Sequence, residues 1–218
     1  ARAGGASAAE ADIGSGTGFS ATVRWGNVEK IEHERDKGLS VTIYMGQRKG
    51  NASTSDFSDK ALAETVSAAC NIARYTSEDP CAGLVEAGLL AQEIPNLDLH
   101  HPWDITPEQA IELAVACENH ARGCDRRINN SDGTVVSTYS GMHAYGNTHG
   151  FSGGWPWSSH TIDCTLLSEH AGKMQRDGWY SKCLDYRELE DIKLIGAEAA
   201  RRTVQKLGGR KLSTRNVP

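Results

Sequence analysis

The chain has 218 residues, 23% charged and 39% hydrophobic, with 23 glycines and 6 prolines. That balance excludes a collagen-like or wholly disordered chain, and no apolar run approaches the ~20 residues of a membrane span. The net charge of -5, from 23 basic and 28 acidic residues, is opposite to the balance of a general nucleic-acid binder, whose phosphate contacts need Lys and Arg.

No basic start precedes a short apolar core, so no signal peptide is visible. Without an export signal, the six cysteines (Cys70, Cys81, Cys117, Cys124, Cys164 and Cys183) read as reduced thiols of a cytoplasmic protein rather than three bridges. The sequons at Asn51 and Asn129 then carry no meaning. The chain opens Ala1-Arg2-Ala3 without Met and ends Asn216-Val217-Pro218, which is expected of a fragment of a longer protein.

The first third predicts a meander. Phe19, Ala21, Val23 and Trp25 alternate with polar residues, the period of a half-buried strand. Gly26-Asn27 suits the positive-φ positions of a tight hairpin. A charged strand follows through Val28, Lys30 and His33. Asp36-Lys37-Gly38 reads as the next turn, then Leu39, Val41, Ile43 and Met45 alternate again, and Gln47 to Ser53 forms a last polar strand. Ser58 is the expected cap of a helix with Leu62, Val66, Ala69 and Ala73 on one stripe.

Residues 76–104 contain three X-Pro steps and read as an irregular connector, with one short helix at Leu84 to Gln92. Thr106-Pro107-Glu108-Gln109 is a capping box with proline at the first helical position, followed by the stripe Ala110, Leu113, Ala114, Cys117 and Ala121. Strands are predicted over Thr134 to Ser140, Met142 to Asn147, Ser158 to Ser168 and Lys173 to Cys183, and a closing helix over Leu194 to Leu207. The fold class is therefore α+β: two antiparallel β-meander units, each packed against helices, in a pattern that suggests a duplication. The domains are expected at 1–75, 76–104 (connector), 105–211, and 212–218 as the start of a further domain.

Catalytic and metal motifs are scarce. A zincin helix needs two His at i and i+4 with Glu after the first. His33-Glu34 has no such second His, and adjacent His100-His101 diverge beside a proline. His143 and His149 flank a turn but lack a third ligand at suitable spacing, and there is no C-x-x-C. No catalytic and no metal residue is assigned. Gly150-Phe151-Ser152-Gly153-Gly154 matches the G-x-S-x-G pattern, with Asp163 and His170 downstream, yet an alternating strand follows where a nucleophile elbow needs a helix. A serine hydrolase remains a reading in which Ser152 reacts with a fluorophosphonate probe.

Two surface candidates remain. Phe151, Trp155 and Trp157 beside a glycine-rich turn are either sheet core or an interface or substrate contact, since Trp is enriched at interface hot spots. Arg201, Arg202 and Lys206 open a basic stretch that could meet phosphates, or could form an ordinary solvated helix end.

Several segments together carry a family resemblance: Arg48-Lys49-Gly50-Asn51-Ala52-Ser53, Ile72-Ala73-Arg74-Tyr75-Thr76-Ser77, Asp79-Pro80-Cys81-Ala82-Gly83, Asn96-Leu97-Asp98-Leu99, Gly146-Asn147-Thr148-His149-Gly150 and Arg210-Lys211-Leu212-Ser213-Thr214. In this order they resemble the PmbA (also called TldE) branch of the TldD/PmbA family, once labelled modulators of DNA gyrase. The resemblance spans nearly the whole chain and corresponds to the N-terminal half of that family, with a first helix expected before Ala1 and a C-terminal domain beyond Pro218. It implies a scaffold and substrate-enclosing part of a metallopeptidase complex that processes small peptides and unfolded polypeptides. A TldD-type subunit is the implied partner, or a second copy of this chain in its absence. Zinc is expected in that partner and no cofactor in this chain. No membrane partner is expected. The alternative is a non-enzymatic regulator of a nucleic-acid enzyme such as DNA gyrase.

Overall fold

A computed structural model describes residues 4–216. The expected first helix before Ala1 and the end of the final segment at Val217-Pro218 lie outside the described residues. Six strands, β1 (Ala8–Arg24), β2 (Asn27–Met45), β3 (Arg48–Thr54), β4 (Ile128–Asn147), β5 (Ser152–His170) and β6 (Lys173–Cys183), join in one sheet of order β3-β2-β1-β4-β5-β6. The β2–β3 and β5–β6 ladders are antiparallel. Three helices accompany the sheet: α1 (Asp59–Tyr75), α2 (Pro107–Gly123) and α3 (Ile192–Gln205). The α+β class holds, but the two expected meanders are halves of a single sheet.

The contacts divide the chain into two units that interleave in sequence. Unit 1 gathers residues up to 17, 34–101 and 140–158; unit 2 gathers 18–33, 102–139 and 159 onward. The division thus crosses β1, β2, β4 and β5, whereas the sequence boundaries at 75 and 105 assumed contiguous units. Strands of 17 to 20 residues are the reason, because each is long enough to serve two cores.

In unit 1, α1 packs its Ala69, Cys70 and Ala73 on Ala9, Leu39, Val41 and Ile43. Ser58 caps the helix as expected, its side chain accepting from Ala61 N. A Cβ at Gly50 would strike the Ala69 carbonyl, so the glycine permits the close approach of α1 to β3. The short helix expected at Leu84 to Gln92 reduces to a single 3-10 turn, Ala87–Leu89. Beyond it the connector runs extended, with Ser158 N donating to Leu99 O at 2.8 Å and His101 N to Ser158 Oγ at 2.8 Å.

In unit 2, α2 and α3 bury Ala114, Cys117, Ile195 and Ala199 against Phe19, Ala21, Val23, Val136, Ile162 and Leu166. The Thr106–Gln109 capping box forms in both directions. α3 begins at Ile192, two residues before the expected start, because the Asp191 carboxylate accepts from Lys193 N and caps it there.

Three local expectations are corrected. The hairpin turn uses Trp25 (φ 56) and Gly26 (φ 70) rather than Gly26-Asn27. A non-glycine tolerates that conformation because the buried Glu118 carboxylate accepts from Trp25 N (3.0 Å) and Gly26 N (2.7 Å), and the Arg122 guanidinium lies 3.6 Å over the Trp25 ring. Asp36-Lys37-Gly38 is not a turn but part of β2, which continues because β1 runs beside it. Residues 134–147 form one strand through Gly141, where a Cβ would strike the Ser15 carbonyl.

Candidate functional site

Alternation along β1 sets up the site. Ala9 and Ala11 pack toward the α1 core, so Glu10 and Asp12 project from the opposite side. In β2, Val41 and Ile43 face the core while Tyr44 turns its phenol to Glu10. The Tyr44 hydroxyl donates to Glu10 Oε1 at 2.8 Å, and the Tyr145 hydroxyl of β4 donates to Glu10 Oε2 at 2.7 Å. Each carboxylate oxygen therefore holds one phenol. Burial, then the hydrogen bond and charge of Glu10, push the Tyr44 phenol up to about 12. Burial also raises Tyr145, with the Asn147 amide opposing and Glu10 adding to the rise. Both phenols stay neutral donors at physiological pH.

A second pair lies beside the first. His143 Nε2 sits 2.9 Å from Asp12 Oδ2, and its ring lies 4.9 Å from that of Trp155 at a 41° tilt. Phe151 meets Tyr145 at 5.9 Å between ring centroids. Trp157 lies against Gly16, where an added Cβ would stand 3.3 Å from the indole. The structure thus brings Phe151 and Trp155 to the Glu10–Asp12 cluster, whereas Trp157 lies farther along β1 at Gly16; all three are half-buried within unit 1. The face presents two carboxylates, two neutral phenols, an imidazole and two aromatic surfaces. It can hold a polar, extended chain by hydrogen bonds and ring contacts.

Glu10, Asp12, Tyr44 and Tyr145 were missed as site residues by sequence reasoning. The signal was the alternation Ala9-Glu10-Ala11-Asp12, too short and too close to the glycine-rich stretch after it to be read as a strand. His143 and His149 do not converge on an ion: His143 pairs with Asp12, while His149 Nδ1 is 2.9 Å from the Val85 carbonyl. Among the described residues no three His, Cys, Asp or Glu side chains gather as metal ligands. Ser152, Asp163 and His170 all lie along β5, where extended backbone keeps them from converging as a triad.

The three basic candidates are all paired. Arg201 meets Glu198 at 2.6 Å, Arg202 meets Asp177 at 3.6 Å and lies 5.3 Å over Trp179, and Lys206 meets Asp177 at 3.0 Å. Burial pushes the Asp177 carboxyl up, but the Gly178 amide and these two cations bring it below its ordinary range. Little free positive charge remains there for a phosphate backbone.

Two domain profiles match: PmbA/TldA metallopeptidase domain 1 over residues 9–73 and PmbA/TldA metallopeptidase central domain over residues 100–207. The metalloprotease PmbA of Escherichia coli O157:H7 is 41% identical over 210 residues, covering 96% of this chain and 47% of that protein. The chain belongs to the PmbA/TldD family. A PmbA homologue of Haemophilus influenzae is 37% identical over the same length. Among solved structures, a candidate modulator of DNA gyrase from Bacteroides thetaiotaomicron VPI-5482 aligns at a TM-score of 0.83 with 22% identity, over 97% of this chain and 48% of that one. TldE from Thermococcus kodakarensis aligns at 0.70 with 17% identity, over 93% and 46%. These two likenesses show the fold. The chain spans about half the length of the PmbA relatives it matches (47% for the first two). The contacts of this chain interleave the two stretches that the profiles match.

Proposed function

We propose that the chain is the N-terminal part of a PmbA/TldE-type subunit in a TldD–PmbA metallopeptidase assembly. In this reading it supplies scaffold and substrate enclosure for small peptides and unfolded polypeptides, and the TldD-type partner supplies the zinc. Membership of the family supports the setting. The observation that carries the reading is the unit 1 face on which Glu10, Asp12, Tyr44, His143 and Tyr145 meet Phe151 and Trp155. Such a face offers acceptors, donors and rings to main chain and side chains alike, as a sequence-tolerant peptide site must. Its residues bind and orient; no nucleophile is assigned among them.

The test is peptidase activity on an unstructured peptide, with the full-length chain alone and mixed with its TldD-type partner, each with and without chelator. Activity in the mixture only, lost with chelator, is expected. Chelator-sensitive activity of the purified chain alone overturns the division of roles. A Glu10→Gln, Asp12→Asn double variant is expected to raise KM in the mixture while leaving the assembly intact by size-exclusion chromatography.

A further inference from the structure

Unit 1 also holds a cleft of about 340 Å³ whose walls include Arg35 and Lys37 of β2 together with the hydroxyls of Ser15, Thr17 and Ser140. Asp36 lines it as well, so one net positive charge remains. Every other arginine of a strand or helix pairs with a carboxylate, a carbonyl or an aromatic ring. Arg35 alone among these has no partner within the described residues. Lys37 lies 5.0 Å over the Phe57 ring and forms no ion pair with a described residue, although its charge adds to the Ser58 hydrogen bonds in lowering the exposed Asp56 carboxyl. The three hydroxyls likewise make no hydrogen bond to another described side chain. A guanidinium that lines such a cleft without an ion-pair partner of its own is suited to a planar two-oxygen anion, which it can hold bidentately.

The backbone beside the cleft narrows the choice of anion. β3 pairs with β2 only from Leu39 to Met45, so residues 34–38 of β2 carry no strand on that side. Their open N–H and C=O groups can pair with one further extended segment. A ligand that satisfies both features is a carboxylate at the end of an extended main chain. Asp36 works against a dianion such as phosphate, which would also leave the strand edge unused.

We infer that this cleft binds the free C-terminal carboxylate of a peptide, with Arg35 as its bidentate partner and Lys37 as a second charge. The inference rests on the peptide reading proposed above and adds the end of the chain by which the peptide is held.

The experiment is fluorescence anisotropy on the full-length chain with its TldD-type partner, with chelator present to stop turnover. The probes are a short N-terminally labelled Gly/Ser-rich peptide and its C-terminal amide. The free acid is expected to bind about tenfold or more tightly than the amide. Arg35→Gln removes that preference, Lys37→Gln weakens it, and Arg126→Gln leaves it intact. Equal binding of acid and amide, or a preference that survives Arg35→Gln, overturns the inference while leaving the peptide reading in place. Displacement of the probe by inorganic phosphate more effectively than by acetate overturns it in favour of a phosphate site. Absence of binding by either peptide, together with absence of turnover in the mixture, overturns both readings.

Discussion

Glu10 shows how one residue converts a solvent-facing strand position into a site. Its two carboxylate oxygens take one phenol each, and this places Tyr44 and Tyr145 with their hydroxyls turned inward rather than to water. Burial first, and then the hydrogen bond and negative charge of Glu10, disfavour ionisation of the Tyr44 phenol and raise it to about 12. A folded-state pKa above the ordinary value of about 10 means stability that is complete below pH 10 and is lost as pH climbs from there toward 12. Chemical denaturation between pH 9 and 12 should therefore show a decline steeper in the parent than in Glu10→Gln, at most ~1.4 kcal/mol per pH unit for one such group. Ultraviolet titration of the phenols should show a late-ionising tyrosine that moves earlier in Glu10→Gln. An unchanged titration in that variant would show that Glu10 does not control the phenol.

At the scale of the element, the β1–β2 hairpin is held at its tip by a helix. Glu118 is fully buried in α2 and receives the amides of Trp25 and Gly26, while Trp25 Nε1 donates to Asn130 at 3.0 Å. A carboxylate buried at zero exposure needs such donors, and the positive φ of Trp25 needs a compensating contact. Glu118→Ala leaves two amides without their acceptor and should lower stability by about 2–4 kcal/mol. Urea unfolding measures it; a loss below about 1 kcal/mol would mean that water replaces the carboxylate at little cost. This clamp also explains why the turn sits one residue earlier than its glycine-asparagine pair predicts. Tertiary hydrogen bonds at Trp25 outweigh the local preference of Asn27 for positive φ.

The whole molecule differs most from a chain of separable modules. Unit 2 takes Phe19, Ala21 and Val23 from β1 into the core closed by α2 and α3, although these residues precede α2 by more than eighty positions. A fragment comprising residues 105–211 therefore lacks one wall of its own core. It should show no cooperative urea transition by itself, and should regain one when mixed with a fragment of residues 1–104. A cooperative transition of 105–211 alone would restore the picture of contiguous domains. Cleavage within 76–104 in the intact protein should correspondingly leave two pieces that remain together until denaturant is added.

The sequence by itself determined the elements whose cause is local. The Ser58 cap, the Thr106–Gln109 capping box, the stripes of α1 and α2 and the alternation of Leu39 to Met45 all appear where residue spacing put them, because capping and amphipathic periodicity act within a few residues. It also carried the family resemblance, since identity survives in the order of short motifs. Only the tertiary structure decided that β1 and β4 unite two meanders into one sheet, that Asp36 to Gly38 continue a strand, and that Glu10 and Asp12 meet His143, Tyr145 and Trp155. Those outcomes depend on which strands become neighbours across more than a hundred residues. Period-two alternation reports that a strand has two faces, but not what will lie opposite either of them.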